Sequence, residues 1–460
     1  MFLWFLWELT CITVSMNSFV PLSQETRARL LSQLLDDPAA TLARNAVTSV
    51  GINDAALNRE AVVKLHHTVE HKLDSLAVTD QKRSGRCWLF AALNVHRHAL
   101  AKKLNLETFD FSQSYVQYFD KLERAQLFLT EMRERRDQDS DDRVIAQLLR
   151  FAAEDGGWYS YVGNLVRKYG VVPDYAMPEV ESAGNTQELN RALAHVLRRG
   201  ACRMRDAETD AEADDIMNTT LRDAQRVITV HLGAPPTEFM WQYRTKDGTF
   251  VREGTYTPRE FAEEYLPDLD TMVVLAEDPR SDKPKNTRFL VELCTNVVGA
   301  QEHNYINVEM DVLKEAVAAS IEAGEPVWFA CDVSRQFNRK LGVWDTSLLD
   351  LAGVYGVALD STKEERFISG ESQPTHAMVL SGLDRHPDGS IRAWRVENSW
   401  GTKLHDKKTE AVGAGYATMS DEWFEENVFY VALKRDFVPE ALHKALDMEP
   451  IRLPAYDLMF

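Results

Sequence analysis

The sequence has few cysteines and no long apolar segment, and these two absences exclude several classes of protein. Only five of the 460 residues are cysteine, and no two of them form a C-x-x-C pair. This low and odd number argues against a disulfide-stapled secreted fold, so we expect free thiols and a cytoplasmic protein. No run of about 20 apolar residues is present, so we expect no membrane-spanning helix and no membrane partner.

Positive charge is also scarce. The chain has 52 Lys and Arg residues against 71 Asp and Glu, a formal net charge of −19 at pH 7. Because a negative field repels phosphate backbones, we do not expect nucleic acid as a partner. The hydrophobic fraction of 45% is sufficient for a sizeable core, and no internal repeat or low-complexity tract is visible.

The first fifteen residues differ from the rest of the chain. Residues 1–15 (MFLWFLWELTCITVS) are almost wholly apolar, with Glu8 as the single charge. The segment is too short to cross a bilayer and lacks the positive start of a signal peptide. We expect residues 1–15 to be an extension outside the fold, and a weak secretory signal is the alternative.

Apolar spacing predicts an order of elements in which helices come first and strands later. Helical spacing covers 24–35, 60–73, 87–100, 111–129, 144–153, 159–169, 186–197, 207–230 and 310–323. Residues 38–54 are predicted to be a connector. Strand patterns cover 239–243, 271–275, 289–293, 305–308, 326–331, 376–382, 391–398, 415–419 and 428–433. Helices followed by strands predict an α+β protein with two lobes.

One cysteine lies in an unusual context. Cys87 follows the polar segment QKRSGR and begins an apolar helix. A helix N-terminus favours a thiolate over a thiol, as a nucleophile requires. Gln81 could supply a side-chain N–H beside the backbone N–H of Cys87, and two such donors stabilise an oxyanion. By contrast, Cys202, Cys294 and Cys331 are predicted to be buried structural thiols.

A histidine and an asparagine complete a possible catalytic set. His376 begins a predicted strand, and Asn398 ends the next one, so antiparallel pairing could bring their side chains together. The Asn oxygen would then fix the imidazole tautomer and leave the other ring nitrogen facing sulfur. Trp400 could shield that hydrogen bond from water. Without such partners, an isolated histidine is most often structural.

Two further motifs have alternative interpretations. The segment from His67 to His71 matches the H-x-x-E-H pattern, and two histidines four apart on a helix could share a zinc ion. No third ligand is evident, so an ordinary solvated helix is the competing interpretation. Asp155-Gly156-Gly157 carries no obvious side-chain chemistry and is expected to break a helix. Its exposed backbone could instead pair with an extended substrate.

These segments together resemble a known family. QKRSGRCWLFAALN (81–94), FSQSYVQYFDKLERAQLFL (111–129), residues 155–172, EPVWFACD (325–332) and NSWG (398–401) resemble the bleomycin hydrolase and aminopeptidase C family of papain-like cysteine peptidases. The resemblance covers nearly the whole chain from about Val20. It implies a two-lobe papain-like core, with a helical lobe, an antiparallel β-barrel lobe and helical hook insertions.

The resemblance also implies roles for individual residues. Cys87 is implied as nucleophile, His376 as general base and acid, Asn398 as its orienter and Gln81 as oxyanion donor. Trp88 and Trp400 are implied as supporting residues, and Gly156 and Gly157 as part of the substrate cleft. No metal or cofactor is implied. The implied activity is removal of N-terminal residues from peptides and related amides by a cytoplasmic homohexamer.

The predicted organisation follows from the same likeness. We expect an extension at 1–15, a helical lobe at 16–185, a hook at 186–268, a β lobe at 269–448 and an arm at 449–460. In the family, the C-terminal arm lies in the cleft and its carboxylate meets the substrate amine. This chain has Leu458 where the family tail usually has proline, and it ends at the bulky Phe460.

Three alternatives therefore stay open for the function. If the altered arm does not gate the cleft, the enzyme would be a thiol endopeptidase. If the H-x-x-E-H motif binds metal, it would be a zinc peptidase that uses His67 and His71. If the Cys-His-Asn set is inactive, the chain would be a ring-shaped binding protein.

Overall fold

The structure is a computed structural model, and it describes residues 21–73, 76–402 and 415–460. The predicted extension at 1–15 lies outside the described residues. The described part divides into two compact units. The small unit contains the described residues up to Asn58 together with Leu349–Leu359, and the large unit contains Arg59–Leu348 and Asp360–Phe460.

The helices and strands are numbered in chain order. The helices are α1 (Gln24–Leu35), α2 (Pro38–Val50), α3 (Ile52–Ala55), α4 (Arg59–Lys64), α5 (Cys87–Lys103), α6 (Gln113–Glu134), α7 (Arg143–Arg150), α8 (Tyr159–Tyr169), α9 (Glu181–Gly184), α10 (Gln187–Arg205), α11 (Asp210–Leu232), α12 (Pro258–Tyr265), α13 (Met310–Glu322), α14 (Leu351–Tyr355), α15 (Lys363–Ile368), α16 (Asp421–Asn427) and α17 (Glu440–Leu446). The strands are β1 (His71–Lys72), β2 (Phe239–Arg244), β3 (Phe250–Tyr256), β4 (Met272–Ala276), β5 (Thr287–Val291), β6 (Asn304–Asn307), β7 (Val327–Cys331), β8 (Phe337–Asn338), β9 (Val343–Trp344), β10 (His376–Arg385), β11 (Ile391–Glu397), β12 (Tyr416–Ser420), β13 (Val428–Lys434) and β14 (Ile451–Leu453).

The small unit is helical. The hydroxyl of Ser23 accepts the backbone N–H of Thr26 and so caps α1, whose predicted bounds are confirmed. The predicted connector at 38–54 is wrong, because the Asp37 carboxylate caps α2 and Pro38 occupies its first turn. Both capping signals are present in the sequence.

A large, mostly antiparallel sheet organises the large unit. Its strand order is β14-β5-β6-β4-β13-β7-β10-β11-β12-β9-β8, and β1 pairs with β10 beside this path. Strands β10 and β11 are antiparallel neighbours, with Val379 opposite Glu397. This register brings the start of β10 to the end of β11, as the sequence predicted for His376 and Asn398.

Helix α5 packs against this sheet and holds the candidate nucleophile. It begins at Cys87, as predicted, and Leu89, Ala92 and Leu93 are among its buried residues. The indole N–H of Trp328 in β7 donates to the carbonyl of Trp88 at 3.2 Å, which ties the first turn of the helix to the sheet. The chain therefore has a mixed α and β fold in which the sheet fixes the helix that begins at Cys87.

The segment predicted as a helical insertion has mixed structure. Helices α10 and α11 pack on α6, but the same segment also contains the two-stranded β2–β3 hairpin and α12. The domain boundaries themselves stay a prediction. Across the ranges that the structure describes, no helix combines the length and apolar character needed to cross a bilayer.

Candidate active site

A cavity of about 390 Å³ in the large unit contains several of the predicted site residues. Its lining includes Cys87, His376, Gly156, Gly157 and the C-terminal residue Phe460. Four other predicted site residues are not part of this lining: Gln81, Trp88, Asn398 and Trp400. Asn398 and Trp400 contact His376, Trp88 contacts Gly157, and Gln81 bonds to Ser399, which follows Asn398.

The Cys87 thiol is partly buried at the first residue of α5. Burial raises the pKa of Cys87, while the backbone N–H groups of Ala377, Trp88 and Cys87 itself lower it. The helix terminus was predicted to favour the thiolate, but desolvation outweighs the N–H groups when the thiolate forms alone. Because Ala377 follows His376, the same contact places the start of β10 beside the sulfur.

The His376 imidazole is buried and bonded to Asn398. Its Nε2 lies 3.0 Å from Oδ1 of Asn398, which assigns Nε2 as the donor and leaves Nδ1 unprotonated in the neutral ring. Burial lowers the pKa of His376 to about 4, and the hydrogen bond that its Nε2–H donates to Asn398 acts in the opposite direction. The ring of Trp400 lies 4.8 Å from the imidazole, between centroids, as a shield for this bond requires.

Gln81 is held in one orientation by Ser84 and Ser399. Its amide Nε2 donates to the Ser84 carbonyl at 2.7 Å, and its Oε1 accepts the hydroxyl of Ser399 at 2.7 Å. The backbone N–H of Gln81 also donates to the Ser399 carbonyl at 2.9 Å. An amide nitrogen carries two hydrogens, so the second N–H of Gln81 is the one that could reach an oxyanion.

The side chain of Asp155 supports the segments around the cavity, a role that the sequence did not indicate because its segment was considered only for its backbone. The buried carboxylate pairs with Lys121 at 2.6 Å and accepts the backbone N–H of Gly85 at 3.0 Å. The side chains of Thr186 and Asn190 donate to it as well. Burial raises the pKa of Asp155, but Lys121, Thr186 and the N–H of Gly85 together lower it below its ordinary value.

Asp155 links the segment before Cys87 to the segment of Gly156 and Gly157. Gly85 lies two residues before Cys87, and Asp155 lies directly before Gly156. The carbonyl of Asp155 also accepts the indole N–H of Trp88 at 2.7 Å. A lone aspartate before two glycines is the only sequence signal for this link, because its partners are distant in the chain.

Gly157 is required by a close approach. A Cβ added there would lie 2.7 Å from the indole of Trp88 and 2.9 Å from the guanidinium of Arg124. Arg124 also donates to the carbonyl of Gly156. The backbone at Gly156 and Gly157 is therefore held against the cavity by side chains from α5 and α6.

The C-terminal arm reaches the cavity along the sheet. Strand β14 pairs in parallel with β5, and the next segment ends at Phe460, whose ring lies 6.3 Å from that of Phe151. Met459 is fully buried, and its carbonyl accepts the hydroxyl of Tyr430 at 2.8 Å. The end of the chain thus occupies one side of the cavity that contains Cys87.

Two sequence-based expectations are wrong. Helix α4 ends at Lys64, so His67 and His71 do not share a helix face, and His71 belongs to β1. Within the described ranges, no three or more His, Cys, Asp or Glu side chains are grouped as metal ligands. Cys202 is exposed on α10, although Cys294 and Cys331 are buried as predicted.

Known proteins resemble this chain over almost its whole length. The sequence profile of the Peptidase C1-like family matches residues 21–460. The chain belongs to this family. It is therefore a cysteine peptidase with a papain-family fold.

Members of the Peptidase C1-like family resemble the chain over most of its length. Bleomycin hydrolase of Homo sapiens is 40% identical over 452 residues, which cover 95% of this chain and 98% of that protein. Aminopeptidase C of Listeria monocytogenes is 36% identical over 92% of this chain and 95% of its own length. The crystal structure of PepW from Lactobacillus rhamnosis superposes with a TM-score of 0.91 at 34% identity, covering 96% of this chain and 99% of that one.

Proposed function

We propose that this peptidase is an aminopeptidase that removes N-terminal residues from peptides and related amides. The main support is that Cys87, His376 and the end of the chain at Phe460 line a single cavity. The relatives named bleomycin hydrolase and aminopeptidase C also support an exopeptidase. In this proposal, Cys87, His376, Asn398 and Gln81 have the catalytic roles.

Catalysis begins with transfer of the thiol proton from Cys87 to Nδ1 of His376. Burial disfavours the thiolate and the imidazolium when each forms alone, but proton transfer inside the site forms both at once and their attraction offsets part of that cost. Asn398 holds Nε2–H and stabilises the imidazolium. The thiolate then attacks the scissile carbonyl, and the new oxyanion is bound by the N–H groups of Cys87 and Gln81.

The tetrahedral intermediate collapses when His376 gives its proton to the leaving amine. The C–N bond breaks, and an acyl-enzyme remains on Cys87. His376, again neutral, removes a proton from the water that attacks the thioester. The C–S bond then breaks, the acid product leaves, and the proton on His376 returns to the Cys87 sulfur. Trp400 covers the histidine–asparagine bond throughout, so that water does not compete for it.

The arm explains why cleavage would occur at the N-terminus. Substrate enters along the backbone of Gly156 and Gly157, and the residues up to Phe460 block the continuation of the cleft. A negative chain terminus near the substrate amine would favour a free α-ammonium group. The finer lobe description, with Cys87 from a helical lobe and His376 and Asn398 from a β lobe, belongs to the same proposal.

The deciding experiment compares an aminoacyl amide with its N-acetylated form, before and after treatment with iodoacetamide. We expect cleavage of the free-amine substrate only, and loss of this activity on alkylation. Cys87→Ala should abolish activity, whereas the exposed Cys202→Ala provides the matched control and should retain it. Equal cleavage of both substrates would instead identify a thiol endopeptidase. Full activity in Cys87→Ala would refute the assignment of the nucleophile.

We also propose that the chain forms a homohexamer. Helix α1 has four leucines that are each more than half accessible: Leu30, Leu31, Leu34 and Leu35. Such a continuous apolar strip supports self-association. Light scattering on the eluted protein should give six times the chain mass of 52.3 kDa, and Leu31→Glu should lower it. A monomer mass for the unchanged chain would exclude the hexamer.

A further inference from the structure

A largely shielded arginine joins the C-terminal arm to the loop that follows β4. Arg280 donates from Nη1 to Oδ2 of Asp457 at 2.9 Å and from Nη2 to Oδ1 at 2.8 Å. The same guanidinium donates from Nε and Nη2 to the two carboxylate oxygens of Asp278, at 2.9 and 2.7 Å. One arginine thus makes bidentate contacts with two carboxylates, and we refer to Asp278, Arg280 and Asp457 as the arm anchor.

The arm anchor is shielded from solvent. The side chain of Asp278 is fully buried, and those of Arg280 and Asp457 are only 11% and 8% exposed. The hydroxyl of Tyr305 is 3.4 Å from Oδ2 of Asp278. In such a setting, loss of Arg280 leaves two shielded carboxylates uncompensated, which is far more costly than losing a surface ion pair. Neutralising Asp457 leaves Arg280 paired with Asp278, but it removes the charge-assisted bonds that hold the arm.

The arm anchor lies where control of the chain end is needed. The strand pairing of β14 stops at Leu453, seven residues before the terminus (460 − 453). Oδ1 of Asp457 accepts the backbone N–H of Met459 at 2.9 Å, and its carbonyl accepts that of Phe460 at 3.0 Å. Asp457 therefore fixes the turn that carries Phe460 into the cavity, and Arg280 fixes Asp457.

We propose that Arg280 is a positioning residue for substrate specificity, since it holds the last turn of the arm at the cavity and so restricts cleavage to free N-termini. The proposal rests on the proposed aminopeptidase function. Arg280 does not contact the reacting atoms. It acts through Asp457, and its loss would let the arm leave the cleft while Cys87 and His376 stay in place.

The test uses Asp457→Asn and Arg280→Met in the full chain. Asp457→Asn keeps the shape and an oxygen for the Met459 N–H but removes the charge, so it is the milder change. The first readout is release of Phe460 by a carboxypeptidase, followed by mass spectrometry. The second is the ratio of kcat/KM for an aminoacyl amide to that for its N-acetylated form. The matched control is Arg452→Met, because Arg452 lies on β14 but is 57% exposed, with acidic partners at 3.7 and 3.8 Å.

We expect the carboxypeptidase to release Phe460 at least about tenfold faster from both anchor variants. We also expect the ratio of kcat/KM for the free-amine substrate to that for the N-acetylated substrate to fall at least about tenfold. The control should match the unchanged chain in both readouts. Faster release with an unchanged kcat/KM ratio would show that the anchor holds the arm but that the arm does not restrict cleavage, which would refute the role of Arg280 in specificity. Unchanged release in both variants would overturn the proposal.

Discussion

At the residue scale, two opposing effects act on His376. Burial lowers its pKa to about 4, and the hydrogen bond that it donates to Asn398 raises the pKa. A general base must be neutral, so activity should fall as the pH drops through the pKa of this histidine. The strength of the bond to Asn398 should therefore set the acid limb of the pH profile.

The first prediction concerns substitutions at Asn398. In the unchanged chain, kcat/KM should fall below about pH 4. Asn398→Ala removes the bond, so the acid limb should move to lower pH, and kcat should fall by about 10- to 100-fold as the imidazole loses its orientation. Asn398→Asp keeps an acceptor and adds a negative charge, so the limb should move to higher pH. Identical limbs in all three proteins would contradict this account.

A second residue-scale prediction concerns Asp155. Burial is the main cause of the raised pKa of Cys87, and the charge of Asp155 adds to it. Asp155→Asn should therefore lower that pKa and speed alkylation of Cys87 by iodoacetamide at neutral pH. Peptidase activity should move in the opposite direction, because the loop of Gly85 is held less firmly.

The same substitution has a cost in stability. It leaves Lys121 buried without its charge partner, which typically costs about 3–5 kcal/mol. Adding Lys121→Met should restore part of the loss of unfolding free energy, measured by urea denaturation. Additive losses in the double variant would show that the two residues are not coupled. Slower alkylation in Asp155→Asn would refute the electrostatic argument.

At the scale of elements, local capping fixed the bounds of some helices, and contacts with distant residues ended others. Helix α1 has its predicted bounds because Ser23 caps an amphipathic run. The helix predicted at 60–73 ends at Lys64, because the following backbone bonds elsewhere. Arg392 donates to the carbonyl of Thr68 at 2.8 Å, and Asp384 accepts the N–H of Glu70 at 3.0 Å. Such distant partners override local helix propensity.

The C-terminal arm is an element whose role can be tested by deletion. Removing residues 458–460 takes away the buried Met459 and the cavity residue Phe460. We expect the shortened enzyme to cleave N-acetylated substrates and internal bonds of a fluorogenic peptide, with the reaction still lost on Cys87 alkylation. A shortened enzyme that still requires a free amine would show that the cleft is closed by other elements.

At the scale of the whole molecule, one buried histidine links acidity to folding. His303 is almost fully buried and stacks on Trp158, with 4.5 Å between ring centroids. Neither ring nitrogen has a hydrogen-bond partner among the described residues. Burial lowers its pKa to about 3 from an ordinary 6.5. Below pH 6.5, the unfolded chain therefore binds a proton that the folded chain does not.

We therefore expect the burial of His303 to make the folded protein less stable at acidic pH. The free energy of unfolding should fall as the pH drops from about 6.5 to about 3, by on the order of 2 kcal/mol at pH 5 from this group. His303→Phe keeps a stacked ring and cannot titrate, so its urea midpoint should fall less between pH 6.5 and 5. The exposed His386→Gln is the control and should follow the unchanged chain. An equal fall of the urea midpoint in the unchanged chain and in both variants would exclude His303 as the cause.

The sequence by itself determined the family, many of the helices and strands, and the residues that could form a cysteine peptidase site. It could do so because capping, apolar spacing and the local contexts of Cys87, His376 and Asn398 are properties of short segments. Only the tertiary structure decided which distant groups meet: Asp155 with Lys121 and Gly85, and Arg280 with Asp457. Those contacts depend on how the sheet and helices pack, and burial, which sets the pKa values of the site, exists only after that packing.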